Sequence, residues 1–130
     1  MKILLDTSAY SAFMKGHPGI KKYLQEADEI YFCPVVLGEL FAGFLKGKYT
    51  RKNRSELTSF LSSTRVNILT MDEGTSERYA AILNYLWSAG TPIPTKDIWI
   101  ASSAMQHGLR VATTDSHYQK ISQVIVDFFD

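Results

Sequence analysis

Three aspartates stand where short apolar runs end or helical patterns begin. Asp6 follows Ile3-Leu4-Leu5, Asp97 lies two residues beyond Thr95, and Asp115 comes just after Val111-Ala112-Thr113. Carboxylates gathered within a few ångströms repel one another, so some take up protons unless a cation neutralises them. With no histidine or cysteine pair at ligand spacing, such an all-oxygen set selects hard ions such as Mg²⁺ or Mn²⁺. Ions of that kind polarise phosphates and lower the pKa of bound water. The pattern points to phosphoryl chemistry, provided the fold brings the acids together.

The flanking elements predict such a gathering. Ile3-Leu4-Leu5 suits a central parallel strand buried on both faces, with Asp6 at its carboxyl end and a helical pattern following through Tyr10, Phe13 and Met14. Asp6 has a second reading as the cap of that helix, because its carboxylate can accept a free N–H of the first turn. No glycine fingerprint follows the strand, which argues against a dinucleotide-binding turn. Thr95 is predicted to cap a helix that runs to Gly108, with Ile100, Ala101, Ala104 and Met105 as its buried stripe. Asp97 then falls in the first turn, where the helix dipole favours an ionised carboxylate. A short strand, Leu109 to Ala112, delivers Thr113 and Asp115. Ligands of open parallel sheets collect beyond the carboxyl ends of the strands, so the acids are expected to face one crevice.

Elsewhere, Ile30 to Cys33 reads as a strand ended by Pro34. From Val35 a broad apolar helix carries Val36, Leu37, Leu40, Phe41 and Phe44, with Glu39 set among them. A glutamate there is costly if buried and unpaired, so Glu39 either reaches solvent or has a function; the local pattern leaves both open. Lys46, Lys48, Arg51, Lys52 and Arg54 form the one strong positive patch, either a solvated helix–helix connection or a phosphate-contacting arm. Val66 to Leu69 is the third strand, Asp72 a turn or cap residue, Glu77 to Ala89 a helix closed by Gly90, and Val124 to Val126 the last strand. His17, His107 and His117 lack ligand-like spacing. The two later ones read as surface residues at element ends, and no zinc site is expected.

A chain of 130 residues with 45% hydrophobic composition suits a single domain over residues 1–130. The net charge of +1 carries no global polyanion signature, so any nucleic-acid surface must be local. Cys33 stands alone among Ile30, Tyr31 and Phe32 and reads as a reduced core thiol. The start is too short and polar for a signal peptide, and no run approaches membrane-spanning length, so a cytoplasmic protein without a membrane partner is expected.

Leu5-Asp6-Thr7-Ser8, Val36-Leu37-Gly38-Glu39-Leu40, Asp97-Ile98-Trp99-Ile100-Ala101 and Thr113-Thr114-Asp115 resemble, in order and over nearly the whole chain, the four signature segments of the PIN domain, particularly its VapC-type toxin members. The resemblance implies an α/β fold, a parallel β-sheet flanked by helices in an α/β/α sandwich. It implies a Mg²⁺-dependent endoribonuclease that cleaves single-stranded or structured RNA as the toxin of a toxin–antitoxin pair. The acidic site would comprise Asp6, Glu39, Asp97 and Asp115. Of these, Asp6, Asp97 and Asp115 would hold Mg²⁺ or Mn²⁺, and Glu39 would help orient the nucleophile. Thr7 and Thr113 are then expected to supply supporting hydrogen bonds, and Lys46, Lys48, Arg51, Lys52 and Arg54 to meet RNA phosphates; Lys96 is expected either to pair with a site carboxylate or to touch an RNA phosphate. A cognate antitoxin and a homodimer are the implied protein partners. Lys96, Ser102-Ser103 and Tyr118 depart from the usual pattern of these segments, and none removes an acid. The alternative from another class is a non-catalytic PIN-like RNA-binding or assembly module, against which the presence of all four acids argues.

Overall fold

The computed structural model describes residues 1–130. Strand β1 (Lys2–Leu5) leads into helices α1 (Thr7–Met14) and α2 (Pro18–Glu26), and strand β2 (Glu29–Phe32) into α3 (Pro34–Lys46) and α4 (Thr50–Leu61). Strand β3 (Val66–Ile68) is followed by α5 (Glu73–Ala89) and α6 (Thr95–His107), and β4 (Arg110–Thr113) by a 3₁₀ turn (Ser116–Lys120) and β5 (Val126–Phe128). All strand pairings are parallel, in the order β3-β2-β1-β4-β5. Helices cover the sheet, as the α/β/α reading expected.

The unbroken apolar run Ile3-Leu4-Leu5 is completely buried, because β1 lies at the centre of the sheet with helices on both faces. From β1 the chain builds β2 and β3 on one side, then returns to lay β4 on the other. The order of strands reverses between β1 and β4, the place where open parallel sheets bind their ligands beyond the carboxyl ends of the strands. Leu5 is in register with Ala112, and the Asp6 amide donates to the Ala112 carbonyl at 3.2 Å. The last residue of β4, Thr113, is thereby brought beside Asp6.

Several local expectations are corrected. Pro94, not Thr95, occupies the cap position of α6: its carbonyl accepts the amides of Asp97 (3.1 Å) and Ile98 (3.4 Å), so helical bonding starts one residue early. Met105 lies 36% exposed while Ile98 is buried, which rotates the buried stripe of α6 toward its first turn. Helix α5 begins at Glu73, four residues before the predicted start, under a reciprocal cap between Asp72 and Thr75. The last strand starts two residues late, because residues up to Val124 still belong to the turn region. Asp127 consequently lies within β5, where Arg110 grips it at 2.8 and 2.7 Å. Cys33 is buried, as read from its neighbours.

Gly108 ends α6 in the left-handed conformation (φ 65°), which lets the chain turn directly into β4. No atom lies near the place a Cβ would take, so the demand on this residue is conformational, not steric. Gly108→Ala is expected to lower stability by about 1 kcal/mol, read as a shift in the urea midpoint at unchanged slope. An unchanged midpoint would show that the turn relaxes at no cost.

Candidate active site

Asp6 is 3% exposed and makes the helix-cap bond that is one of its two readings. Its Oδ1 accepts the amide of Ala9 at 2.8 Å, capping α1, while Oδ2 accepts the Thr113 hydroxyl at 2.7 Å. The single Ser8 hydroxyl proton is shared between the two oxygens, at 2.8 and 3.0 Å. Ser8 Oγ in turn accepts the amide of Thr114 (3.0 Å), and Thr113 Oγ1 that of Asp115 (2.8 Å). Asp6 is thus tied to the segment that carries Asp115. Burial pushes its pKa up to about 6, against the opposing pull of the Ala9 amide and the Thr113 and Ser8 hydroxyls.

Asp97, in the first turn of α6, is equally buried. Its Oδ1 accepts the hydroxyl of Tyr118 at 3.2 Å, and its Oδ2 is buried with no hydrogen-bond partner. Burial and the nearby Asp115 carboxylate raise its pKa above the ordinary range. The tyrosine departure thereby acquires a part: the fully buried Tyr118 ring places its hydroxyl on an acid of the site. The serine departure is packing chemistry, since Ser102 bonds back to the Ile98 carbonyl and Ser103 lies 3.4 Å from the Cys33 sulfur.

Asp115 caps the 3₁₀ turn, its Oδ1 accepting the His117 amide at 2.9 Å. That turn folds the His117 ring back over the acids. Nδ1 of His117 lies 2.8 Å from Asp115 Oδ1 and 3.7 Å from Asp97 Oδ2. His117 is a surface residue at an element end as read, its side chain 44% exposed, but its Nδ1 turns inward to the acids. No spacing rule marked it, because its approach to Asp97 depends on how β4 and the turn sit against α6. His107, at the end of α6, remains exposed, and His17 caps α2 through Nδ1.

Glu39, on α3, is linked to this centre through Lys96. Its Oε1 accepts the Thr7 hydroxyl at 2.7 Å, and its Oε2 pairs with the Lys96 ammonium at 2.6 Å. The cost of a glutamate in an apolar helix is offset by these two partners. Glu39 raises the pKa of Lys96 against the effect of burial, and Asp97 and Asp115 add to the rise. Lys96 therefore supplies a positive charge to an otherwise acidic centre.

The basic cluster flanks the connection between α3 and α4. Lys46 closes α3, Lys48 lies in the turn, and Arg51, Lys52 and Arg54 belong to α4. Lys46 lies seven residues beyond Glu39, about 10 Å further along α3. Arg54 stacks its guanidinium on the Phe41 ring, 4.4 Å from the centroid, which commits that side chain to packing.

The arrangement defines an α/β/α protein whose central strands end in a buried, cation-receptive acid centre. The metal-ligating atoms of Asp97, Asp115 and His117 lie within 4.8 Å of one another. Asp6 adjoins this group with its oxygens already accepting hydrogen bonds, and the free Asp97 Oδ2 is the kind of buried acceptor a cation satisfies. The PIN domain family profile matches residues 3–124. Ribonuclease VapC4 of Mycobacterium tuberculosis is 33% identical over 92 residues, covering 71% of each chain. Toxin FitB of Neisseria gonorrhoeae is 32% identical over 122 residues, 88% of each. The crystal structure of VapBC2 from Rickettsia felis bound to a promoter DNA fragment superposes with a TM-score of 0.87 at 26% identity, covering all of both chains. The chain belongs to the PIN domain family, whose nucleases are metal-dependent.

Proposed function

We infer that this chain is a Mg²⁺-dependent endoribonuclease, the toxin of a toxin–antitoxin pair, acting on single-stranded or structured RNA. The observation that carries the reading is Asp97: a carboxylate 3% exposed, beside Asp115, with one oxygen left without a hydrogen bond. Such an atom is expensive to bury unless a cation meets it. Relatives named as VapC ribonucleases, and neighbours solved as toxin–antitoxin complexes, support the activity and the partner.

In this reading Asp97 and Asp115 bind the ion, and Asp6 adds its charge while holding Thr113, and through it the amide of Asp115, in place. Held there, Mg²⁺ or Mn²⁺ would supply Lewis-acid chemistry, polarising a phosphate and lowering the pKa of bound water. Glu39 orients the attacking water through its carboxylate, whose charge Lys96 balances and whose rotamer Thr7 holds. Lys96 binds a substrate phosphate oxygen from the other side. The water oxygen bonds to phosphorus as its proton passes to bulk solvent, the phosphorus–ribose oxygen bond breaks, and the departing oxygen takes a proton from solvent. The resting form in this reading is a homodimer, for which the 70% exposed Trp87 of α5 offers an apolar contact, and the cognate antitoxin covers the toxin.

The direct test is induced expression without an antitoxin. Growth is expected to stop, with new RNA ends appearing early, and chelation should halt cleavage by the purified protein. Normal growth in cells holding soluble, ion-binding protein would count against the toxin role. For the basic surface, joint replacement of Lys48, Arg51 and Lys52 by alanine is expected to weaken RNA binding and lower the slope of log K against log salt by up to about 2, from about 0.7 per lost contact. An unaltered slope would remove this patch from the RNA path.

A further inference from the structure

Two buried polar atoms at this centre have no hydrogen-bond partner, and they face each other: Oδ2 of Asp97 and Nδ1 of His117, 3.7 Å apart. His117 Nδ1 also lies 2.8 Å from Asp115 Oδ1, yet that contact lacks hydrogen-bond geometry, so the nitrogen lone pair or proton is not used there. Leaving one such atom buried and unmatched costs free energy; two aimed at one point call for a shared partner. Around an octahedral ion with bonds of about 2.1 Å, adjacent ligand atoms are about 3.0 Å apart and opposite ones about 4.2 Å. The 2.8 and 3.7 Å separations lie close to and between these spacings, and the ligand atoms of all three residues lie within 4.8 Å of one another, so side-chain adjustment brings them around one ion. Asp6 offers less, because Ala9, Ser8 and Thr113 already occupy most of its acceptor directions.

We propose that His117 is a direct nitrogen ligand of the divalent ion, binding through Nδ1 together with Asp97 and Asp115, and that it tilts the centre toward Mn²⁺ over Mg²⁺. This rests on the metal-dependent reading given under Proposed function. Mg²⁺ is a hard ion that strongly prefers oxygen, whereas imidazole suits the later divalent metals, so one nitrogen in the ligand set discriminates between the two. The ring is held for this by its own turn: Asp115 caps the His117 amide and Tyr118, the next residue, is anchored on Asp97. Ligand position and metal choice are in this way tied to the Ser116–Lys120 turn.

The experiment uses the full chain, stripped of metal, without RNA. Mn²⁺ is added below one equivalent and nitrogen coupling is read by electron spin echo modulation, in protein with natural histidine and with ¹⁵N-histidine. The expected result is a directly bound imidazole nitrogen whose signature changes with the isotope and vanishes in His117→Ala. Calorimetry should show that His117→Ala weakens Mn²⁺ roughly tenfold while changing Mg²⁺ less than about twofold. Mn²⁺ bound through oxygen alone, or an equal loss for both ions in the variant, would overturn the proposal and leave His117 as a residue that only orients Asp115. Failure of the parent to bind either ion would remove the metal-dependent reading as well. Absence of an isotope-sensitive nitrogen in the parent overturns the proposal even if the variant folds poorly, and His17→Ala and His107→Ala, which should keep the signal, assign it to His117.

Discussion

Asp97→Asn is expected to lower RNA cleavage by about 10³-fold or more and at the same time to make the metal-free protein slightly more stable. The opposite signs follow from what each oxygen of Asp97 does. Oδ1 accepts the Tyr118 hydroxyl, which an asparagine carbonyl can still do, whereas Oδ2 is buried without a partner and carries charge beside Asp115. The amide removes that charge, and with it the repulsion and the burial cost that raise the acid's pKa. It also removes an anionic ligand. Because an ion that binds only the native state stabilises it in proportion to affinity and concentration, the variant should lose most of the melting-temperature rise that Mn²⁺ gives the parent. An Asp97 that merely capped its helix would behave in reverse, but α6 has no side-chain cap bond at its start. Melts with EDTA and with Mn²⁺, alongside cleavage of a single-stranded RNA, decide between them. A destabilised variant that kept the full metal shift would sink the assignment.

Asp6→Asn is expected to flatten part of the pH dependence of folding. Burial raises the folded pKa of Asp6 to about 6, from an ordinary value near 3.8. The folded state therefore holds this proton more tightly than the unfolded chain does. Its contribution favours folding below about pH 4 and is lost as pH rises through about 6. The loss amounts to up to about 3 kcal/mol, since one unit of pKa is worth about 1.4 kcal/mol. An asparagine keeps an acceptor for the Ala9 amide, and the Ser8 and Thr113 hydroxyls can turn to accept from it, so the cap survives without the charge. Carboxylates held low by partners, such as Asp127 under Arg110, titrate in the opposite sense, but they do so in parent and variant alike and cancel in the difference. In metal-free urea titrations the variant should gain on the parent steadily from pH 4 to pH 7.5. A constant difference across that range would show that Asp6 is not desolvated as its burial indicates.

The sequence by itself determined whatever depends on near neighbours along the chain. Ile3-Leu4-Leu5 had to be a buried strand because an unbroken apolar run has no face to offer water, and it is fully buried. Gly90 and Gly108 had to end helices because a left-handed residue costs glycine nothing, and both take that conformation. Asp97 falls in a first turn whichever residue is counted as the cap. The three aspartates could be picked out because each sits at an element boundary, and boundaries are written in local residue types; Glu39, inside α3, was left open by its neighbours and joined them only through the family resemblance. Tertiary structure alone decided what those acids touch. Thr113 reaches Asp6 across 107 residues and Lys96 reaches Glu39 across 57, so no periodicity or spacing connects them. The same holds for Arg54, which the charge run placed in a solvated connection or a phosphate-contacting arm and the fold laid on Phe41. It holds most sharply for His117: its own neighbours describe an exposed turn, and only the packing of that turn against α6 puts its Nδ1 opposite Asp97. Local sequence sets backbone conformation through sterics and hydrogen bonds over a few residues, whereas a chemical site is made of side chains whose distances are fixed only when separate elements close on one core.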